Sequence, residues 1–139
     1  MSYLHTETVS TETFQIIKKI SDNPDFKEFR LCGGTALALQ IGHRISMDAD
    51  FVSENRIDQN AVINSTGKLF TNITDVASGA HGVFLKIDSI KVDFLTWQIP
   101  FMRDAVELDG LSLTHIEEII AMKFFAITQR GEKKDYMDI

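Results

Sequence analysis

A short apolar run, Phe29-Arg30-Leu31-Cys32, ends at two consecutive glycines and passes without a spacer into Thr35-Ala-Leu-Ala-Leu-Gln-Ile41. The first run has the character of a short strand. The second is rich in strong helix formers, and Gly42 supplies a natural stop. A strand that turns into a helix through a glycine pair requires layers, with helices packed on a sheet. It also suggests chemistry. Gly33 and Gly34 let the backbone approach a phosphate closely, and the unpaired amides of a helix N-terminus attract an anion. Thr35 adds a hydroxyl for that anion or for the helix cap. A bare tight turn would need the same glycines. The run is neither a Walker loop nor a dinucleotide fingerprint, since both Gly-Lys-Ser/Thr and G-x-G-x-x-G are missing.

The next informative segment is Met47-Asp48-Ala49-Asp50-Phe51-Val52, whose alternation has the period of a strand. Asp48 and Asp50 then share one face, with Cα atoms roughly 6.5–7 Å apart. Met47, Ala49 and Phe51 are predicted to pack into the core on the other face. Two neighbouring acids repel and are costly to bury. A divalent cation resolves both problems, and magnesium commonly takes one or two carboxylates together with substrate phosphates. A solvent-facing strand would carry the same acids with no function. A third acid, Asp93, lies within Ile90-Lys-Val-Asp-Phe-Leu95, an otherwise β-forming run. It is either a solvated strand residue or a third metal ligand on the same sheet face. A phosphate turn, an Asp-x-Asp strand and a later strand acid suit two-metal phosphoryl chemistry, with Asp93 as general base or as the group orienting the incoming oxygen.

The remaining chain supports a mixed architecture. Residues 9–21 place Phe14, Ile17 and Ile20 at helical spacing, with Lys18 and Lys19 outward, before Asn23-Pro24 breaks the pattern. A helix is expected around residues 58–70. The runs 83–87 and 90–95, separated by Asp88-Ser89, predict a tight hairpin. Thr114-His-Ile-Glu117 has the form of a capping box and opens a helix through Ile127, with Phe124, Phe125 and Ile127 assigned to core. Lys123 either reaches past its apolar neighbours to solvent or contacts substrate. The order of elements reads helix, strand, helix, strand, helix, hairpin, helix. That is an α+β fold with helices covering a small mixed sheet.

Composition sets outer limits. The 139 residues suffice for one domain, and 44% hydrophobic with 24% charged residues is ordinary for a globular protein. No apolar run reaches the roughly 20 residues of a membrane span, and the N-terminus lacks signal-peptide character, so a cytoplasmic location is expected without membrane contact. One cysteine, Cys32, excludes an internal disulfide and reads as buried core. The four histidines show no metal-ligand spacing. A net charge of -6 argues against general nucleic-acid coating, but basic residues gather near the C-terminus (Lys123, Arg130, Lys133, Lys134) and around the glycines (Arg30, His43, Arg44). Basic patches beside an acidic centre suit a polyphosphate; scattered surface charge is the plainer alternative.

The stretch Leu31-Cys-Gly-Gly-Thr-Ala-Leu-Ala-Leu-Gln-Ile-Gly-His-Arg-Ile-Ser-Met-Asp-Ala-Asp-Phe51 resembles the opening motif of the AbiEii/AbiGii toxins, a bacterial branch of the polymerase-beta-like nucleotidyltransferases. Ile116-Glu-Glu-Ile-Ile-Ala-Met-Lys123-Phe124 and Gln129-Arg-Gly-Glu-Lys-Lys-Asp-Tyr-Met-Asp138 are similar to the family's later lysine and Lys-Asp motifs. The resemblance implies a polymerase-beta-like nucleotidyltransferase fold over residues 1–139, in a family whose members usually continue into further C-terminal helices. It implies metal binding by Asp48 and Asp50, with Asp93 matched less closely. It further implies phosphate contact by Gly34 and Thr35 and nucleotide contact by Lys123, with Lys134 and Asp135 completing the site; Gly33, Arg44 and Ser46 are expected beside them as binding residues. The implied activity is magnesium-dependent transfer of a nucleoside monophosphate from an NTP to a hydroxyl. The implied setting is the toxin half of a toxin–antitoxin or phage-defence pair, with tRNA as acceptor and a separate antitoxin protein. Relatives that modify proteins or small molecules give an alternative, and a non-catalytic nucleotide-binding form gives another.

Overall fold

The computed structural model describes residues 4–97 and 99–130, with side chains described through Phe125. Helix α1 (Thr11–Asp22) starts where the Ser10 hydroxyl accepts the Thr13 amide at 3.1 Å. It buries Ile16, Ile17 and Ile20. Strand β1 (Arg30–Cys32) leads directly into α2 (Gly33–Ile41), which ends at Gly42 in the left-handed region. Strand β2 (Ala49–Ser53) and helix α3 (Gln59–Leu69) follow, the helix capped by Asp58. Next come β3 (Ile73–Gly79), β4 (Gly82–Ile87) and β5 (Ile90–Thr96). The β4–β5 hairpin turns at Asp88 and Ser89, both at positive φ as a two-residue turn demands. A short hairpin, β6 (Val106–Leu108) and β7 (Leu111–Leu113), precedes α4 (Ile116–Arg130).

Among the described residues the strands form one mixed sheet in the order β3-β4-β5-β2-β1-β7-β6. Its centre matters most: β2 runs parallel to β5 and antiparallel to β1. Alternation then sorts the side chains. Leu31, Phe51 and Phe94 point to the core face, where Phe94 stacks on Phe51 at 5.5 Å and on Phe26 at 5.4 Å between ring centroids. Ile17, Ile20 and Val62, from α1 and α3, close that core. Cys32, Asp50, Val52, Asp93 and Leu95 take the opposite face by the same alternation.

The fold is the expected α+β arrangement, with three strands beyond those predicted. Strand β3 has no apolar alternation, because all of it but Ile73 is exposed at the sheet edge. Strands β6 and β7 have three residues each, too few for a period to register. Their turn, Asp109-Gly110, is a strong hairpin signal that the sequence does carry.

Several side-chain expectations are corrected. Met47 is 75% exposed, because the strand begins only at Ala49 and residue 47 lies outside the ladder. Phe124 and Phe125 are exposed rather than core, with Phe125 set edge-on against Trp97 at 5.1 Å. The expected capping box does not form: His115 Nδ1 accepts the Glu117 amide, while Thr114 is buried and its hydroxyl has no hydrogen-bond partner among the described residues. The Ile127 side chain lies outside the described residues.

Candidate active site

The parallel β2–β5 ladder sets Asp50 directly beside Asp93. On the other side of β2, Asp50 faces Cys32, the last residue before the glycine turn. Asp48, exposed and two residues upstream of Asp50, adds its charge to both other acids. Asp50 and Asp93, far apart in the chain, are thus neighbours, and Asp48 lies within electrostatic reach of both.

The electrostatics of the cluster follow from burial. Asp93 is only 6% exposed, and its Oδ1 finds no hydrogen-bond donor among the described residues. Its Oδ2 lies 3.5 Å from Lys91 Nζ. Burial pushes the Asp93 carboxyl above the usual carboxylate range, against the opposing pull of Lys91. Burial, then the Asp93 charge, pushes Asp50 up to about 6, with Lys91 and Lys123 pulling it down. Burial and the same two acids push the Cys32 thiol well up, so it remains an uncharged core group and not a nucleophile.

The glycine turn is fitted to this cluster. Gly33 has φ +67°, and a Cβ there would stand 2.8 Å from Asp50 Oδ2. Gly33→Ala is expected to lower stability by about 1–2 kcal/mol, from left-handed strain and crowding of Asp50. A urea melt of the variant checks this, and an unchanged midpoint would count against the fit. A Cβ on Gly34 would stand 2.5 Å from Arg44 Nη2, so the Arg44 guanidinium lies against the turn. Thr35 is buried, and its hydroxyl bonds to the Asp48 carbonyl and to Ser46 Oγ. With one proton to give, Thr35 donates to the carbonyl and accepts from Ser46. In this structure the pair tethers the segment that carries Asp48. A phosphate contact by either hydroxyl would require breaking that tether.

Two cavities meet at Gly33 and Lys123. One, about 330 Å³, includes Asp50, Cys32, Val52, Leu95 and Trp97. The other, about 280 Å³, is bounded by α2 and α4 and includes Gly34, His43 and Arg44. Lys123, half-buried, lines both cavities. A further cavity, about 840 Å³, lies beyond the C-terminal end of β2 at Glu54, Arg56 and Asp58, and shares Thr96 with the acid-side cavity.

Arg30 has a different part from that expected. It donates to the Arg103 carbonyl at 2.8 Å, lies 3.9 Å over the Phe101 ring and 3.8 Å from Glu118. Glu118, buried, accepts the Met102 amide at 2.7 Å and the Arg103 amide at 3.4 Å. This clamp joins β1 to α4 and so fixes Lys123 relative to the glycine turn. It is no part of a phosphate patch. Lys134 and Asp135 lie outside the described residues. Lys91 was overlooked, although period-two spacing already puts it on the face of Asp93.

Strand order, glycine turn and paired acids define a nucleotidyltransferase fold. Solved structures that share it include a candidate nucleotidyltransferase from Thermotoga maritima, at 17% identity and TM-score 0.58, covering 96% of this chain and 98% of that one. Another is JHP933 from Helicobacter pylori, at 21% identity and TM-score 0.51, covering 83% of this chain and 57% of that one. The family model "Nucleotidyl transferase AbiEii toxin, Type IV TA system" matches residues 15–139, and the chain belongs to that family. An uncharacterized Aquifex aeolicus (strain VF5) protein is 29% identical over 132 residues, which make up 92% of this chain and 64% of that protein. The chain therefore spans just under two thirds of that relative's length.

Proposed function

We propose that residues 1–139 act as one nucleotidyltransferase domain that moves a nucleoside monophosphate from an NTP to a hydroxyl acceptor. The observation that carries this reading is the in-register pair Asp50 and Asp93, with Asp48 beside them and the Gly33-Gly34 turn opposite. The acids suit magnesium: they offer hard oxygen ligands, and the buried Asp93 Oδ1 has no donor. Among the described residues no three such groups already surround one point, so Asp50 and Asp93 form the core of the site and Asp48 its rim. When bound, magnesium supplies charge neutralisation for the acids and the triphosphate.

The chain's own residues divide the remaining work. The α2 N-terminus and Arg44 bind the phosphates. Lys123 stands between the two cavities and contacts the nucleotide; Lys134 and Asp135 are assigned to the same site by the family motif. The acceptor oxygen bonds to the α-phosphorus as the α–β phosphoanhydride bond breaks. Pyrophosphate leaves, and the hydroxyl proton passes to Asp93. We read the protein as the toxin of a type IV pair acting in the cytoplasm, with a cognate antitoxin as partner and tRNA as acceptor. No described helix is long and apolar enough to cross a membrane. One observation favours a second acceptor class: the 840 Å³ cavity carries Glu54 and Asp58 against a single arginine, which suits a basic protein segment or a cationic small molecule.

Transfer of label from α-³²P NTPs to bulk tRNA, to an antitoxin or to aminoglycosides distinguishes these acceptors. Asp48→Ala is expected to cut transfer at least about 100-fold while leaving the melting temperature unchanged, because Asp48 is exposed. Full transfer by that variant would remove the proposed role of Asp48.

A further inference from the structure

Lys91 forms an ion pair with Asp93, and its surroundings differ sharply from those of its partner. The Asp93 side chain is 9% exposed and fixed in the ladder, whereas the Lys91 side chain is 56% exposed. Lys91 can therefore leave at small cost, as an exposed ion pair contributes little. Directly across the β4–β5 ladder stands a second lysine, Lys86. Like charges placed opposite one another on neighbouring strands repel. Each ammonium is held by its own carboxylate, Lys86 by Asp75 at 3.4 Å and Lys91 by Asp93 at 3.5 Å. Lys86 therefore disfavours a swing of Lys91 toward β4.

We propose that Lys91 is an exchangeable counter-ion: it pairs with Asp93 while the site is empty and moves to the substrate's polyphosphate when a divalent cation takes its place. The inference rests on the function proposed above. A divalent cation at Asp50 and Asp93 would repel the ammonium, and a polyphosphate held beside the Gly33-Gly34 turn would offer its flexible four-carbon stem a new anion. Lys91 is accordingly a positioning residue for the phosphates. It weakens the binding of a bare cation and strengthens the binding of a cation–polyphosphate complex, two effects of opposite sign.

The test uses the full chain as wild type, Lys91→Met and Lys91→Arg at pH 8. Free Mn²⁺ is followed by electron paramagnetic resonance, and binding of the Mn²⁺–tripolyphosphate complex by calorimetry, so that no choice of base enters. Lys91→Met is expected to bind Mn²⁺ about three- to tenfold more tightly and Mn²⁺–tripolyphosphate about tenfold more weakly. Lys91→Arg should return both values toward wild type. A merely structural role would weaken both and would not reverse the sign for Mn²⁺. If wild type binds both ligands and Lys91→Met matches it, or loses Mn²⁺ affinity, the exchange role is overturned and the proposed function stands. If wild type binds no Mn²⁺, both fall together.

Discussion

Asp50→Asn is expected to abolish nucleotidyl transfer and to make the metal-free protein more stable at neutral pH. The loss follows from removing the central carboxylate of the acid pair, with a fall on the order of 1,000-fold or more. The gain follows from the energetics of the same group. Burial and Asp93 push the Asp50 carboxyl up to about 6, so the folded chain holds that proton more tightly than the unfolded chain. Stability is therefore highest where Asp50 is protonated, below the ordinary carboxylate range, and it declines as pH rises through about 6. Above that point the ionised group costs about 3 kcal/mol, which asparagine restores as roughly 10 °C in melting temperature. Thermal melts at pH 7.5 and pH 4 check the sign: the advantage of the variant should be present at the first and gone at the second. A variant less stable than wild type at pH 7.5 would show that the ionised carboxylate supports the fold instead of straining it.

Gly82→Ala is expected to prevent stable folding. A Cβ at this position would stand 2.1 Å from the Phe94 carbonyl oxygen and 3.1 Å from the Leu95 Cα, both backbone atoms of β5. No side-chain rotation relieves such a contact, so the β4–β5 ladder must open. The cost is on the order of 3–5 kcal/mol, much of the stability a small domain possesses. Because β5 carries Asp93, the damage also reaches the acid pair. Circular dichroism during heating should show loss of the cooperative transition or a fall of more than about 10 °C. A melt within a degree or two of wild type would mean that the strands are not paired as closely here as described.

Much of this molecule was legible in its sequence because local signals and long-range packing agree in most of its elements. The Phe14, Ile17 and Ile20 spacing marked α1, and Asp88-Ser89 marked the turn between β4 and β5. Where tertiary context dominated, the reading was incomplete. Strand β3 holds its place through pairing with β4, with Asp75 at positive φ beside a register shift, and has no inward apolar row to announce it. Alternation put Asp50 and Asp93 on candidate faces, but nothing local says that β2 lies next to β5 or that the two run parallel. That adjacency is visible only in the folded sheet. Arg30 looked like a phosphate ligand because it neighbours the glycines, and its true partner, Glu118, is 88 residues away. Such a pairing leaves no trace in spacing.

The parallel ladder has one more consequence. Neighbouring strands are separated by about 4.8 Å, a distance set by backbone hydrogen bonds and not by side-chain choice. Asp50 and Asp93 occupy facing rungs, so the gap between their carbons works as a fixed gauge, indifferent to the long excursion through α3 and the β3–β4 hairpin that separates them in the chain. Insertions or deletions in that excursion could change the molecule's outline without resetting the gauge. A slip of one rung would turn Asp93 toward the phenylalanine stack and silence the site at a stroke.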